Sequence, residues 1–561
     1  MRFQCSDCKS LNHNEKCDIC GSTNNIRLRI AFCKQCQTPI IESDISTCPL
    51  CGSKTNGYYS DVTPVFLEEK IMLSRLLGKE LPYLPVWYLS NSYFMVGNKK
   101  VKLSLKNIVS DNNQYLIIDK LRRQIDYDQA INVEEEQVEK LIKANSYRFN
   151  AIEYDAHCLV KKLISENMDR IPIVSFSGGK DSTVVSDIVR QATGQNNIIH
   201  VFCDTTLENS YTYDYINAFK KINCLVPVLK VRANKKFMDL CEEFGPPTRI
   251  RSWCCSIFKS APISQLLNSI SYSPENNQSR EFLTFYGIRA VESNTRKGYG
   301  QVSDSPKITS QKVVSPIFGW LDFDVWLYIL SRKINYNHAY RLGYRRVGCW
   351  CCPNNSGWSE YLNGIYFPEE TSNWNSFLYK FAKKIGKSDY HEYVDGGYWK
   401  ARYGGAGLDN SQTKIQSTQC QDNKYENFIL SRPFSLEFEN YFKPFGNTDF
   451  ECLGTKIYLN VYKGKSKKKL FQIETQKNSR IIKLQINENK NKLLLRQRIE
   501  CQLRKYQICI QCAACDSICK QGAIKTTEGH YHVDAERCVH CMDCIASKHL
   551  GGCLINEILQ Q

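Results

Sequence analysis

Short apolar runs alternate with amphipathic stretches between residues 171 and 231, and this alternation is the clearest structural signal in the chain. Ile171–Phe176 reads as a strand, Ser182–Gln191 as a helix, Ile198–Cys203 as a strand, Thr212–Lys221 as a helix and Val226–Val231 as a third strand. Strand–helix alternation of this length predicts a parallel α/β sheet. Upstream, Pro64 to Leu77 reads as a helix. Val86–Leu89 and Tyr93–Val96, followed by the Gly97-Asn98 turn, predict a small β element, and Val133–Lys143 and Tyr154–Glu166 predict two more helices. After about residue 405 the pattern changes. Ile457–Tyr462, Lys469–Ile473 and Ile481–Ile486 read as short antiparallel strands, and Leu493–Tyr506 as a basic amphipathic helix. The basic turn Lys463–Lys469 reads as a solvated hairpin tip rather than a phosphate-binding patch. No apolar run approaches the ~20 residues that cross a bilayer, so no membrane association is expected.

At 561 residues the chain exceeds one core, and 42% hydrophobic with 12% aromatic residues supplies several. The 28 cysteines change the picture most. A disulfide scaffold would be short and secreted. Here Met1-Arg2-Phe3-Gln4-Cys5 reaches a cysteine motif at once, leaving no room for a signal peptide, and a cytoplasmic location is expected. Most cysteines recur at two-residue gaps, which suits thiolates converging on metal. Cys5, Cys8, Cys17 and Cys20 form one set of two close pairs; Cys33, Cys36, Cys48 and Cys51 form a second, and each second pair ends in glycine (Gly21, Gly52). Two closed, tetrahedral, structural zinc ribbons are expected, with nucleic-acid or partner binding as their alternative role.

The C-terminal cysteines are spaced differently. Cys509-x2-Cys512-x2-Cys515-x3-Cys519 is followed by Cys538-x2-Cys541-x2-Cys544 and Cys553. This resembles the bacterial two-cluster ferredoxin, in which the fourth cysteine of each run ligates the other cluster. The resemblance implies one 4Fe–4S cluster on Cys509, Cys512, Cys515 and Cys553, and a second on Cys519, Cys538, Cys541 and Cys544. Lys520 stands where the pattern has proline, and eight residues separate Cys544 from Cys553. Zinc is the competing metal.

The segment Ser175-Phe176-Ser177-Gly178-Gly179-Lys180-Asp181-Ser182-Thr183 joins the first strand to its helix. Glycines let backbone amides close on phosphate oxygens, and the helix N-terminus adds partial positive charge. Lys180 neutralises phosphate while Ser177 and Ser182 donate hydrogen bonds. The loop is shorter than a Walker A loop. It resembles instead the PP-loop of enzymes that split ATP between the α- and β-phosphates or bind related adenylates. Net charge of +17 is in keeping with anionic partners.

Five further segments narrow the resemblance to the phosphoadenosine phosphosulfate (PAPS) reductase family, across about residues 150–355. They are Cys203-Asp204-Thr205-Thr206-Leu207-Glu208, with Thr206 where the family has glycine; Cys254-Cys255-x3-Lys259-x2-Pro262; Gly287-Ile288-Arg289-Ala290 with Glu292, Ser293 and Arg296; Pro316-x3-Trp320-x3-Asp324-Val325-Trp326; and Gly343-Tyr344 followed by Gly348-Cys349-x2-Cys352. The resemblance implies a third 4Fe–4S cluster on Cys254, Cys255, Cys349 and Cys352, with Cys351 as a competing thiol. It also places Arg289 and Arg296 against the substrate anion. Asp181 and Asp204 are read as carboxylates that position Mg²⁺ or the nucleotide. One element departs: the reductases' C-terminal Glu-Cys-Gly-x-His is absent, since Cys420 and Cys452 lack that context.

The expected molecule is therefore a multidomain α/β protein: two zinc ribbons (1–57), a connecting α/β region (58–150), a PP-loop, adenine nucleotide alpha hydrolase-like parallel sheet (151–405), a basic β-rich segment (406–507) and a bacterial-ferredoxin-like domain (508–561). The expected function is reduction of an adenylyl sulfate or its 3′-phosphorylated form, with Lys180, Asp181 and Arg289 as catalytic groups. Ser177, Gly178, Gly179, Ser182, Asp204 and Arg296 join Lys180 and Arg289 in holding the nucleotide. Electrons would come from the chain's own ferredoxin module and an external donor. The alternative is an ATP-dependent sulfurtransferase that adenylates and thiolates tRNA or DNA; a third reading is a redox or nucleic-acid-binding sensor.

Overall fold

The computed structural model describes the chain apart from residues 1–2, 6–10, 13–19, 22–24, 28, 43–46, 105–113, 250–251, 274–277, 280, 293–295, 297–298, 306–307, 309, 401–415, 420–423, 465, 467, 489–490, 510–513, 520, 527–529 and 546–561. Cys8, Cys17, Cys512 and Cys553 therefore lie outside the described residues, as does the side chain of Cys5. No described helix is long and apolar enough to cross a membrane.

Phe3–Cys5, Leu11–Asn12 and Asn25–Arg27 form a small antiparallel sheet. The second cysteine set is carried by β1 (Arg29–Cys33), β2 (Thr38–Glu42) and β3 (Asn56–Tyr59), with β1 in the middle. Next comes an antiparallel sheet of β4 (Thr63–Pro64), β5 (Val86–Ser90), β6 (Tyr93–Val96) and β7 (Lys99–Lys102), with α1 (Leu67–Leu77) between its first two strands. Two long helices, α2 (Tyr127–Ala144) and α3 (Ser146–Glu166), lead into the next sheet.

That sheet has six strands: β8 (Ile171–Ser175), β9 (Ile199–Cys203), β10 (Val228–Val231), β11 (Phe282–Phe285), β12 (Val302–Asp304) and β13 (Gln311–Val314). Their order is β10-β9-β8-β11-β13-β12, parallel throughout except for β12 against β13. Helices cover both faces, and the central strands β8, β9 and β11 are accordingly mostly apolar on both sides, whereas Lys230, Asp304 and Lys312 fall on the outer strands. On one face α3, α4 (Lys180–Thr193) and α7 (Asp322–Ser331) bury Ile152, Val160, Val184, Ile188, Val325 and Ile329 against Val174, Leu283, Phe285 and Val314. The same face takes α5 (Ser210–Ile222), which packs Tyr215, Ile216 and Phe219 against Phe176 and Phe202, while on the other α6 (Ala261–Ser271) brings Leu267 onto Ile173 and Phe282. The chain leaves β8 toward β9 on one side and returns to β11 on the other. Such a reversal opens a crevice at the carboxyl ends of the central strands, where α/β sheets bind ligands.

The predicted elements of the sequence correspond to β8, α4, β9, α5, β10, α1, β5, β6, α2 and α3. What periodicity did not reveal were β11 and β13, and the helices α8 (Gly357–Tyr366) and α9 (Pro368–Lys384). The connecting region is bolted to the sheet by a buried bidentate pair: Arg148 Nε and Nη2 donate to Asp324 Oδ1 and Oδ2, both at 2.8 Å. Nearby acids on α1 hold the 341–345 turn, with Arg341 on Glu68 and Arg345 on Glu69.

The C-terminal third is a six-stranded antiparallel sheet of β14 (Gln416–Gln419), β15 (Glu426–Ile429), β16 (Thr448–Leu453), β17 (Lys456–Tyr462), β18 (Lys469–Gln476) and β19 (Ile481–Ile486), in the order β14-β15-β19-β18-β17-β16. In the basic turn between β17 and β18, Lys463 and Lys468 are exposed and only loosely paired to Glu488, while residues 465 and 467 lie outside the described residues. Helix α10 (Lys492–Ile508) and the short α11 (Ala514–Ile518) follow. Cys515 and Cys544 share one apolar core with Phe428, Phe471, Ile482 and Tyr506, so the sheet and the C-terminal cysteines are packed as one body. Helix α11 also packs on α6 and on the π-helical turn Ser256–Ser260 that precedes it.

Candidate functional site

The loop after β8 closes by its own hydrogen bonds. Gly178 takes a left-handed φ of +73°, which glycine adopts without steric penalty. Ser177 N donates to Ser182 Oγ at 3.2 Å, Gly179 N to Ser177 Oγ at 3.4 Å, and Ser182 Oγ to Gly179 O at 2.9 Å. Lys180 N, at the start of α4, donates to the buried Tyr340 hydroxyl at 2.9 Å. No motif marks Tyr340, which lies 160 residues away.

Lys180 is buried, and its Nζ lies 2.9 Å from both Asp181 Oδ2 and Asp322 Oδ1. Arg289, 2% exposed, completes the ring through Nε to Asp181 Oδ1 (2.6 Å) and Nη2 to Asp322 Oδ1 (2.8 Å). Two cations and two carboxylates thus alternate around the mouth of the loop. Burial alone would raise both carboxyls, but Lys180 and Arg289 outweigh it, holding Asp322 down to about 2 and Asp181 below the ordinary range. The third guanidinium nitrogen, Arg289 Nη1, is buried and has no hydrogen-bond partner. A buried charged donor left unmade is expensive, and an anionic ligand is the group that would satisfy it. Arg296 is not in this ring: it pairs with Glu292, whose Oε2 also accepts from Arg289 N at 3.1 Å.

Asp322 and Asp61 were missed in the sequence. Asp61 Oδ2 accepts from Asp322 N at 2.9 Å and Oδ1 from Phe323 N at 3.0 Å, and burial with the Asp322 charge pushes Asp61 up to about 7. Neither belongs to a recognisable motif; only the fold brings them to Lys180. Asp204 has the opposite fate. It is fully buried and ringed by Lys230, Arg232, Tyr213 Oη (2.8 Å) and Thr206 N (2.9 Å). Against the raising effect of burial, these donors hold its carboxyl below the usual range. Asp204 therefore anchors the β9 turn in this structure rather than facing Lys180.

Beyond that turn lies a pocket lined by Cys254, Cys255, Cys349, Cys351 and Cys352, with Thr205 and Lys259. The adjacent pair sits on one helical turn, Trp253–Cys255, and the late pair on the 349–352 turn. Thr205 Oγ1 is 3.5 Å from Cys349 Sγ, linking this pocket to the Asp204 turn. The four cysteines expected together do converge, and Cys351 converges with them while also packing into the aromatic core of Trp253, Trp374 and Phe377. Lys259 is partly buried among these cysteines, where a thiolate at Cys349 would hold its ammonium protonated against the cost of burial. An ammonium beside these sulfurs suits an anionic thiolate centre.

At the C-terminus Cys519, Cys538, Cys541 and Cys544 act electrostatically on one another, and burial followed by those neighbours drives Cys544 up to about 12 against the lowering effect of Lys505. In the second ribbon, Cys33, Cys36, Cys48 and Cys51 bring their sulfurs within 4.8 Å of one another, a spacing that a single tetrahedral ion fits. Cys36 N donates to Cys33 Sγ at 3.4 Å. Asn145, at the junction of α2 and α3, fastens this ribbon by accepting from Ile41 N (2.9 Å) and donating to Pro39 O (3.1 Å).

A largely parallel sheet with a glycine-serine loop at its switch point forms a PP-loop-like core. Residues 171–355 match the phosphoadenosine phosphosulfate reductase domain. Two uncharacterized proteins of Methanocaldococcus jannaschii are 28% and 30% identical over 269 and 251 residues, which are 48% and 44% of this chain and 53% and 57% of theirs. The chain thus spans little more than half the length of these relatives. The adenosine 5′-phosphosulfate reductase of Staphylococcus epidermidis is 28% identical over 186 residues, 32% of this chain and 69% of that enzyme. Among solved structures, the PAPS reductase of Candida auris in its phosphate complex overlaps 36% of this chain and 95% of its own, at 15% identity and a TM-score of 0.26.

Proposed function

We propose that this chain is an iron–sulfur PP-loop enzyme that reduces a sulfonucleotide, adenylyl sulfate or its 3′-phosphorylated form. The observation that carries the reading is the buried, unpartnered Arg289 Nη1 at the rim of the loop, in a domain that also holds a pocket of five cysteines. Arg289 and Lys180 hold the anionic end of the substrate, which displaces part of their pairing with Asp181 and Asp322. The amide of Gly178 and the Ser177 and Ser182 hydroxyls take phosphate oxygens. In the reaction the bond from sulfur to the bridging oxygen breaks, two electrons enter at sulfur, sulfite departs and the nucleotide monophosphate keeps the oxygen.

Cys254, Cys255, Cys349 and Cys352 fit a cubane, and Lys259 supplies the compensating charge. When bound, that centre supplies electrons or a local field. Cys519, Cys538, Cys541 and Cys544 fit a second, and the packing of α11 on the Ser256–Ser260 turn supports delivery of electrons from the C-terminal module to this pocket. The second ribbon fits structural zinc.

One observation favours a second reading, ATP-dependent thiolation of a nucleic acid: the chain has no Glu-Cys-Gly-x-His element to form a thiosulfonate. The test is direct. Anaerobically reconstituted protein receives adenylyl sulfate with reduced ferredoxin, and separately ATP with tRNA or DNA. Sulfite without pyrophosphate is expected. Pyrophosphate without sulfite would replace reduction by thiolation, and neither product would leave a sensor.

A further inference from the structure

Helix α7 begins at Asp322, and the residue before it, Leu321, has no side-chain oxygen with which to cap the exposed amides of the first turn. The cap comes from elsewhere in the chain. Asp61 accepts from the Asp322 and Phe323 amides at 2.9 and 3.0 Å, and Oδ1 also accepts from Val62 N at 2.9 Å. This fixes the backbone whose carboxylate, Asp322, meets both Lys180 Nζ and Arg289 Nη2.

Asp61 is in turn held by the second ribbon. It lies two residues past β3, which pairs with β1 through Ile30↔Tyr59 and Phe32↔Asn56. Ile30, Phe32 and Val62 pack in one cluster with Phe323 and Leu327 of α7. On its far side, among the described residues, the ribbon buries Cys33, Ile40 and Cys48, with Cys36, Cys51 and Ala144 of α2 partly covered. A core of that size does not hold three strands without a metal. The chain of contacts therefore runs from the four sulfurs through β1 and β3 to Asp61, and from Asp61 to the cations of the loop.

We propose that Asp61 is a positioning residue of the nucleotide site, held in place by the metal-loaded ribbon of Cys33, Cys36, Cys48 and Cys51. The ribbon's role on this view is to set the geometry of a site built on another sheet. The inference rests on the nucleotide reading above only for its binding arm.

Four variants of the full chain test it: Asp61→Ala, Asp61→Asn, Cys48→Ser and the Asp61→Ala/Cys48→Ser double. Zinc content, calorimetric affinity for ATP and for adenylyl sulfate, and hydrogen exchange of the Asp322 and Phe323 amides are measured on each. Asp61→Ala keeps its zinc and binds the probes at least fivefold more weakly; Asp61→Asn, with one acceptor left, recovers part of that loss. Cys48→Ser loses one zinc per chain and weakens binding comparably, and the double is no worse than the weaker single. Unchanged affinity in zinc-depleted Cys48→Ser, additive losses in the double, or lowered thermal stability with wild-type affinity in both Asp61 variants would each overturn the proposal. If the parent protein bound neither probe, the nucleotide reading would fall, and exchange would decide the coupling. Faster exchange at Asp322 and Phe323 in Cys48→Ser, with α4 still protected, upholds it; unchanged exchange refutes it.

Discussion

Thr206 carries a φ of +64° in the turn that follows β9. A β-branched residue is unfavourable there, since its Cβ crowds the carbonyl oxygen in the left-handed region. The PAPS reductase resemblance has glycine at this position, and the geometry gives the reason. Thr206→Gly should stabilise the protein by about 1 kcal/mol, read as a higher urea midpoint; a lower midpoint would mean the threonine contributes contacts that outweigh its strain. His200 is the second informative residue. It is a fully buried residue of β9, with Nδ1 2.8 Å from Ile198 O and Nε2 2.8 Å from Ser186 Oγ. Burial holds its pKa down to about 4, from an ordinary 6.5. The native state keeps it neutral while the unfolded chain takes up a proton below about 6.5. Its contribution is therefore complete above that pH and is lost as pH falls toward 4. Replacement by Gln should reduce the stability lost between pH 7 and pH 4.5 by about 2 kcal/mol. Denaturant unfolding at both pH values checks this, and an unchanged difference would discount His200.

At the scale of elements, the meeting of β11 with α4 decides whether the loop is formed. A Cβ on Gly287 would stand 2.8 Å from Asp181 C and 2.9 Å from Ser182 N, both backbone atoms that cannot swing aside. Gly287→Ala must shift the first turn of α4, at about 1–3 kcal/mol of stability. Calorimetry should show ATP or adenylyl sulfate binding weakened about tenfold, by the same 1.4 kcal/mol per decade; wild-type affinity would show that the turn tolerates the shift. This contact was legible in the sequence only as a motif, Gly287-Ile288-Arg289, because the clash partner lies a hundred residues away. The elements that were legible were those with local signals. Periodicity predicted β8, α4, β9 and α5, and the glycine-serine loop marked where phosphate would sit. Arg289 was named because it lies in a motif, whereas Asp322, Asp61 and Tyr340 were not. Asp322 sits between motif positions Trp320 and Asp324, Asp61 follows a strand with no catalytic signature, and Tyr340 looks like one aromatic among 32 tyrosines. Each becomes a site residue through tertiary contact alone. Asp204 illustrates the converse: its motif was readable, but Lys230 and Arg232, which claim its carboxylate, were not.

Across the whole molecule, two cysteine groups reach the parallel-sheet domain through different elements. The ribbon reaches it through Asp61, and the C-terminal module reaches it through α11, which rests on the turn immediately after Cys254 and Cys255. That second contact matters because electrons move efficiently only between centres held close, and α11 begins next to Cys515 and ends next to Cys519. If Cys254, Cys255, Cys349 and Cys352 hold a cubane, Cys254→Ser in the anaerobically prepared chain should remove about four irons and leave zinc unchanged. The reduced parent protein should show paramagnetic signals broadened by interaction between neighbouring clusters, and the variant should show the C-terminal signals sharpened. Unchanged iron content would remove Cys254 from the ligand set and bring Cys351, which lines the same pocket, in its place. Loss of iron without sharpening would keep the assignment of a cluster to the pocket but show it magnetically isolated in the parent, and the packing of α11 on its turn would then be structural rather than a route for electrons.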